Sequence, residues 1–168
     1  LGIEKADALK LPPLESGYLR KFDLIVSDLS AGEDAWDQST CEADPFSRFR
    51  FGLPSPARGE FALIQHMIAT MSSPNGVTMV IVDQSVLTRS GRDTDIRKSI
   101  IESNLLDTVI FLPPKLFRSD ARSLAIVVFK ASRIDTKILA INGTTGFVSS
   151  KSLNHITADS IQKISEHF

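Results

Sequence analysis

Short apolar runs are the feature that most restricts the fold of this 168-residue chain. The runs occupy residues 22–26, 77–82, 109–112, 124–129 and 138–141. The run at 77–82 is apolar apart from Thr78 and lacks polar alternation. That pattern is typical of parallel sheets, in which both faces of a strand are covered. Helical patterns separate the first three runs. The order strand–helix–strand–helix–strand–strand therefore predicts an α/β sheet with helices on its faces.

Three helices are expected from apolar residues that recur at helical spacing. The first has an apolar stripe of Phe61, Ile64, Met67, Ile68 and Met71. The second buries Ile96, Ile100 and Ile101. Either Asp93 or Thr94 can cap the amino end of this second helix. The third begins after a capping Thr157, where Ile156 is placed to pack on Ile161 as a hydrophobic staple.

A long loop is predicted at residues 31–57, which contain Gly, Pro, Ser and many charges without periodicity. A loop of that length inside a compact domain is usually functional or disordered. The chain length suggests one domain, residues 1–168. Its first residue is Leu1 rather than Met, which suits a fragment of a longer protein.

The composition excludes several classes of protein. The net charge is −1, so a role in DNA binding requires local basic patches rather than a global attraction. The one cysteine, Cys41, cannot form an internal disulfide, which fits a reducing cytoplasm. No apolar run reaches membrane-spanning length, no signal peptide is visible, and no spacing of His, Cys or acidic residues suggests a metal site.

Ligand sites in open α/β sheets lie beyond the carboxyl ends of the strands. Residues 27–30, residues 83–85 and the loop after Leu112 are expected to share that edge.

Several segments resemble a known family. They are Phe51-Gly52-Leu53-Pro54, the run from Arg58 to Met67, and the run from Ile110 to Phe117. Together with the strand before residues 27–30, they resemble the methylation subunits of type I restriction–modification systems, which are N6-adenine DNA methyltransferases. The resemblance extends from Ala6 onward but covers only the later half of a methyltransferase domain. It implies a partial Rossmann-like S-adenosylmethionine-dependent fold, whose visible strands are the fourth to the seventh, the last of them antiparallel.

The resemblance places the family's catalytic Asn-Pro-Pro-Phe motif on Ser27, Asp28, Leu29 and Ser30. In the family, the Asn side chain accepts from the adenine amino group, and the aromatic ring stacks on the flipped-out base. Ser27 is shorter than Asn and can donate as well as accept, and Ser30 cannot stack. The motif is therefore expected to be degenerate. The alternative interpretation is an ordinary strand-to-loop turn in which Asp and Ser satisfy the backbone.

The cofactor S-adenosylmethionine is implied by the same resemblance. Asp7 lies where the family has an Asp that contacts the cofactor's adenine amino group, although a solvated surface Asp explains this residue equally well. None of the nine glycines forms a Gly-x-Gly loop. Since such a loop brings backbone amides close to the cofactor, this chain alone is not expected to bind it.

Arginines recur in three of the predicted loops. They are Arg48, Arg50 and Arg58; Arg89 and Arg92; and Arg118 and Arg122. If these loops share one edge, the arginines would form a rim that binds DNA phosphates. Carboxylates in the same long loop would repel a DNA backbone, and a solvated charged loop is the alternative.

The function predicted is that of a DNA adenine N6-methyltransferase-like domain of a type I system, catalytically degenerate or truncated. The alternative is a non-catalytic module that binds DNA or a partner subunit. By resemblance, the partners are DNA and the specificity and restriction subunits. The strand at residues 22–26 is also expected to leave an apolar sheet edge exposed, which favours self-association or pairing with another segment.

Overall fold

The chain forms a mixed α/β structure in a computed structural model that describes residues 2–3, 5–31, 36–117, 122–150 and 153–167. The strands are β1 (Leu14–Glu15), β2 (Tyr18–Leu19), β3 (Leu24–Leu29), β4 (Val77–Asp83), β5 (Leu106–Phe111), β6 (Leu124–Lys130), β7 (Leu139–Asn142), β8 (Phe147–Ser149) and β9 (Asn154–Ile156). The helices are α1 (Gln38–Glu42), α2 (Glu60–Thr70), α3 (Ser85–Thr88), α4 (Arg92–Glu102) and α5 (Ala158–His167). In these ranges no helix is both long and apolar enough to cross a membrane.

Five strands form the central sheet in the order β3-β4-β6-β5-β7. β3 is parallel to β4, and β5 is parallel to β7. β6 lies between β4 and β5 and is antiparallel to both of them. The antiparallel strand expected from the family resemblance is therefore β6. Two further pairs, β1-β2 and β8-β9, form small antiparallel sheets that the sequence pattern did not predict.

The carboxyl ends of β3, β4 and β5 lie at one edge of this sheet, which we call the carboxyl edge. Leu29 pairs with Val82, and Asp83 pairs with Leu124 at the start of β6. The amide of Gln84 donates to the Ser123 carbonyl at 2.8 Å, which ties the loops after β4 and before β6 together. The predicted meeting of residues 27–30, residues 83–85 and the loop after Leu112 at this edge is confirmed.

One face of the sheet carries the main core. Helices α2 and α4 cover it with Ile64, Ile68, Ile96 and Ile100, which pack with Val80 and its neighbours. Burial of such side chains contributes roughly 1.5–3 kcal/mol each, so the packing of α2 and α4 stabilises this face.

The opposite face is covered unevenly. Over β5, β6 and β7 it meets the β8-β9 pair and α5, where Ile110 and Ile141 pack with Ile156 and Ile164. Over β3 it is open, and Leu24 and Val26 are 61% and 68% exposed. The expectation that the first strand is buried is therefore wrong within the described residues.

Three boundaries differ from the sequence pattern. The first strand begins at Leu24 rather than residue 22 and continues to Leu29, since residues 27–29 still pair with β4. The long loop contains α1, whose amino end is capped by Asp37. Helix α4 is preceded by Gly91 without a side-chain cap, because it starts before Asp93 and Thr94.

The final helix is capped as predicted, and two apolar residues are placed differently from the prediction. The Ser160 amide donates to Thr157 Oγ1 at 3.2 Å. Ile156 packs in the cluster that contains Ile164, whereas Ile161 is exposed. Ile101 on α4 is also exposed rather than buried.

Candidate functional site

The candidate catalytic segment is the end of β3 and the first residue after it. Ser27 and Leu29 lie on the core face of the sheet, where they pair with Val80 and Val82. Asp28 lies on the other face and is exposed. Its Oδ1 accepts a hydrogen bond from the Ser30 amide at 2.8 Å. This bond is the local Asp turn of the alternative interpretation, and Ser27 is held inside the strand rather than in the loop.

Side chains of the neighbouring loop at the carboxyl edge also form hydrogen bonds with backbone groups. Asp83 Oδ1 accepts from the Ser85 amide at 2.8 Å. The Gln84 side-chain amide donates to the Leu124 carbonyl at 3.1 Å. Two of the polar groups at this edge therefore bond the protein's own backbone.

Asp7 begins a tight turn near the amino end of the chain. Its Oδ1 accepts from the amides of Leu9, at 3.0 Å, and Lys10, at 3.4 Å. A cavity of about 340 Å³ lies beside this turn. It is lined by Ala6, Asp7, Ala8, Leu9, Lys10, Trp36, Asp37, Gly59 and Leu63. We call this cavity the Asp7 pocket; its volume lies in the range of ligand sites.

Arg48, predicted to bind DNA, is a buried structural residue. Its Nε forms an ion pair with Asp44 Oδ1 at 2.8 Å, and both side chains are only 2% exposed. Its terminal nitrogens donate to the carbonyls of Ala8, at 3.2 Å, and Leu9, at 2.8 Å. The prediction fails for this residue, because a buried guanidinium with four partners cannot reach a DNA phosphate in this conformation.

His66 completes the buried cluster around Arg48. His66 Nδ1 lies 3.2 Å from an Arg48 terminal nitrogen, so the neutral ring accepts there. Burial, and then the Arg48 charge, lower the pKa of His66 to about 4. Cys41, in the nearby α1, is also buried, and desolvation raises the pKa of its thiol to about 11, which keeps it unreactive at neutral pH.

Arg50 lies away from the carboxyl edge. It lines a cavity of about 420 Å³ together with Leu105 and Ala131, which adjoin the start of β5 and the end of β6 at the opposite edge. Its guanidinium lies 4.8 Å from the centre of the Phe51 ring. The predicted rim therefore does not include Arg50.

Arg89 lies at the carboxyl edge, but its guanidinium forms ion pairs with two carboxylates. Its Nη2 lies 3.2 Å from Glu60 Oε2, and its Nε lies 3.2 Å from Asp93 Oδ2. Glu60 and Asp93 stand in the first turns of α2 and α4, so this arginine joins the amino ends of two helices.

The remaining predicted arginines lie on or near the carboxyl edge. Arg58 precedes α2, Arg92 begins α4 and Arg122 precedes β6, and all three are exposed. Arg118 lies outside the described residues. Within the described ranges, no group of three or more His, Cys, Asp or Glu side chains could hold a metal ion.

The sheet order and helix placement define a Rossmann-like fold of the kind found in S-adenosylmethionine-dependent methyltransferases. A solved structure with this fold, a putative class I S-adenosylmethionine-dependent methyltransferase from Listeria monocytogenes, has a TM-score of 0.59 at 18% identity, covering 89% of this chain and 42% of that one. A family model described as N-6 DNA Methylase matches residues 1–168. The chain belongs to this family.

Type I methylase subunits are among its relatives. The MpnII methylase subunit of Mycoplasma pneumoniae is 30% identical over 175 residues, which cover 99% of this chain and 32% of that protein. The HindI subunit of Haemophilus influenzae is 28% identical, covering 88% and 33% respectively. The type I methyltransferase subunit of Streptococcus thermophilus has a TM-score of 0.85 at 27% identity, covering 96% and 34%. The chain thus spans about a third of the length of these relatives.

The described residues fit one part of the family's cofactor. The Asp7 pocket offers a carboxylate and an aromatic ring, which suit a heteroaromatic base. Asp7 as a cofactor contact stays a prediction from the sequence, which did not single out Trp36. The available signal was that the only tryptophan of the chain lies in the long loop.

Proposed function

We propose that this chain is a methyltransferase-like module of a type I modification subunit in which methyl transfer is lost by degeneracy or truncation. The observation that supports this proposal is the end of β3, which carries Ser27 and Ser30 where the family resemblance expects an amide side chain and an aromatic ring. When bound, the family's cofactor supplies an activated methyl group. The protein's part is to hold the target amino group against it, and that part is reduced here.

The geometry supports this assignment in two ways. Ser27 lies on the core face of β3 beside Val80, where its short side chain extends less far than an amide would. Asp28 cannot replace the missing acceptor, because it lies on the opposite face and its Oδ1 is bonded to the Ser30 amide. Ser30 has no aromatic ring to stack on a flipped-out base, and such a contact is worth about 1–3 kcal/mol.

Transfer of labelled methyl groups to duplex DNA tests the proposal. With the donor in excess, we expect no labelled N6-adenine above background. Restoring the family residues (Ser27→Asn, Asp28→Pro, Leu29→Pro, Ser30→Phe) in this chain should also fail, since no Gly-x-Gly loop is present. Methylation by the unmodified chain would refute the proposal. If the restored chain methylates DNA and the unmodified chain does not, truncation is refuted as the cause of the lost activity. Degeneracy of residues 27–30 then remains as the cause.

Cofactor affinity gives a separate test of truncation. Calorimetry with S-adenosylmethionine on this chain should register no binding in the micromolar range, because the backbone cradle that the family uses is absent from the sequence. A micromolar dissociation constant would contradict this part of the proposal.

DNA remains a proposed partner through a smaller rim. We assign it to Arg58, Arg92 and Arg122, with Arg118 as a fourth candidate, and exclude Arg48, Arg50 and Arg89. The specificity and restriction subunits, and a cytoplasmic location, are proposed by family resemblance. As a single partial methyltransferase-like domain, residues 1–168, the chain would meet these partners within a larger assembly.

The second candidate function, a non-catalytic interaction module, is favoured by the open edge of the sheet. β3 is the terminal strand in the described sheet, and its uncovered face carries the exposed Leu24 and Val26. Such an edge can pair with a partner subunit or with a second copy of the chain.

A further inference from the structure

The cavity of about 420 Å³ that Arg50 lines lies at the edge of the sheet opposite the carboxyl edge. We call it the Arg50 pocket, and its walls include Lys21, Phe46, Arg50, Phe51, Leu105 and Ala131. β3 has six residues, and at roughly 3.3 Å per residue a strand of this length places the two edges about 20 Å apart. The pocket has the size of a small-molecule site and is separate from the candidate catalytic segment.

Two cations line the Arg50 pocket without an acidic partner. The exposed Arg50 guanidinium forms neither a hydrogen bond nor an ion pair with any residue that the structure describes. Lys21 Nζ donates to the Ala69 carbonyl at 2.5 Å, which uses one of its three hydrogens. Among the described residues, none of those that line the pocket is acidic, and the charge of Arg48 is compensated by Asp44, 2.8 Å away. The pocket therefore selects an anion.

Arg50 has the geometry to bind an oxyanion. Its guanidinium carbon lies 4.8 Å from the centre of the Phe51 ring, a contact that holds the side chain without using an acceptor atom. Its N–H donors therefore remain for a ligand. A fork of such donors binds two oxygens of a phosphate or carboxylate group at once.

The rest of the pocket offers apolar and aromatic surface. Leu105 is buried, and Phe46 and Phe51 are half-buried. A bare inorganic anion would leave these walls in contact with water, whereas a ring attached to the anion would cover them. The walls therefore favour an anion that is carried on a flat apolar body.

Hydrogen bonds to α2 hold both sides of the pocket in place. The Phe51 amide donates to Gln65 Oε1 at 3.1 Å, and Gln65 Nε2 donates to the carbonyl of the residue after Phe51 at 2.8 Å. Gln65 is fully buried, so the aromatic wall is anchored on the helix. On the other side, the Phe22 amide donates to the Thr70 carbonyl at 2.9 Å, next to Lys21. The pocket is thus formed before a ligand binds, which lowers the entropic cost of binding.

We propose that the Arg50 pocket binds a small aromatic phosphate monoester, with Arg50 and Lys21 on the phosphate and with Phe46 and Leu105 against the ring. A monoester carries a charge of about −1.5 to −2 at neutral pH. Two uncompensated cations match this charge better than that of a carboxylate or a phosphodiester. The proposal goes beyond the proposed function, because it requires neither methyl transfer nor the methyl donor.

Three probes separate the two parts of the ligand. Phenyl phosphate has the ring and the phosphate, whereas inorganic phosphate and phenol have one part each. Phenyl phosphate should shift the backbone amide NMR signals of Lys21 and Arg50 with a dissociation constant on the order of 1 mM. Inorganic phosphate and phenol should each bind at least about tenfold more weakly. Unchanged signals with phenyl phosphate, or equal binding of either fragment, would overturn the proposal.

Variants locate the site on the two cations. Arg50→Gln should weaken phenyl phosphate binding about tenfold, and Lys21→Gln should weaken it about fivefold. The matched control is Arg20→Gln, because Arg20 is exposed and lies 5.3 Å from the centre of the Phe22 ring but does not line the pocket. It removes the same charge and should bind like the parent. All three side chains are exposed, so the variants should fold, which their amide spectra would show. Equal losses in Arg20→Gln and Arg50→Gln would refute the pocket.

The phosphates of DNA are the other source of this chemistry, and competition distinguishes them. A duplex oligonucleotide without terminal phosphates contains only phosphodiesters and stacked bases. It should leave the phenyl phosphate shifts of Lys21 and Arg50 unchanged. Displacement of phenyl phosphate by this duplex would refute the proposal and assign the two cations to the DNA backbone.

Discussion

At the scale of single residues, the Arg48–Asp44 ion pair has both of its side chains buried, each only 2% exposed. We expect Arg48→Met to lower the free energy of unfolding by about 3–5 kcal/mol, because it leaves Asp44 buried without a counter-charge. Urea denaturation measures this change. The control is Lys163→Met, which breaks an exposed pair of the same i,i+4 spacing, Lys163–Asp159, and should cost less than about 0.5 kcal/mol. Comparable losses in both variants would contradict the importance of burial.

His66 adds a pH dependence to the same cluster. Its pKa is about 4 in the folded protein and 6.5 when unperturbed, so the unfolded state binds the extra proton first as the pH falls. Stability from this group is complete above pH 6.5 and is lost between pH 6.5 and 4, by about 3 kcal/mol.

Denaturation of the parent and of His66→Gln across that pH range isolates this contribution. The variant cannot take up the proton and should show a flatter profile. Parallel profiles for the two proteins would show that other groups cause the loss.

Gly91 is a third position at which one residue decides a local structure. Its φ of 83° and ψ of −150° are accessible essentially only to glycine, and a side chain there would meet no atom within 4 Å. Gly91→Ala should therefore cost about 1–3 kcal/mol through the backbone alone. Gly2→Ala, also without neighbours but not at a positive φ, should be neutral in the same thermal unfolding assay. A neutral Gly91→Ala would disprove the strain.

At the scale of elements, the sequence predicts what depends on local patterns. The five strands, the apolar stripe of α2 and the Thr157 cap follow from periodicity and from capping chemistry, and all are present. The short elements α1, α3, β1, β2, β8 and β9 were missed, because each is too short to show a period.

The candidate site was predictable only in part, since long-range contacts decide the rest. Sequence placed residues 27–30 at the carboxyl edge, because strand ends can be read from composition. The sequence does not reveal that the Arg48 side chain points inward and donates to the carbonyl of Leu9, 39 residues earlier in the chain. Nor does it reveal that Arg89 donates to Glu60, 29 residues earlier. An exposed and a buried arginine are identical in a sequence, and only the fold separates them.

At the scale of the whole molecule, the open edge at β3 should control association. Leu24→Lys with Val26→Lys should reduce concentration-dependent self-association, because charges on an edge strand oppose pairing. Light scattering across a range of concentrations measures it. Ile134→Lys, at a fully exposed site away from β3, is the control and should associate like the parent. A parent that stays monomeric at high concentration would contradict the expectation.

The position of β6 has a consequence for how the chain reaches its native state. β4 and β5 are each bonded to β6 and not to one another, so no ladder connects them until residues 124–130 arrive. During synthesis, a nascent chain that has emerged only as far as β5 holds two unjoined parts of the sheet. The continuous sheet therefore forms late on the ribosome, when β6 joins β4 to β5, rather than by stepwise addition of strands. Topologies that depend on such non-local pairings fold slowly.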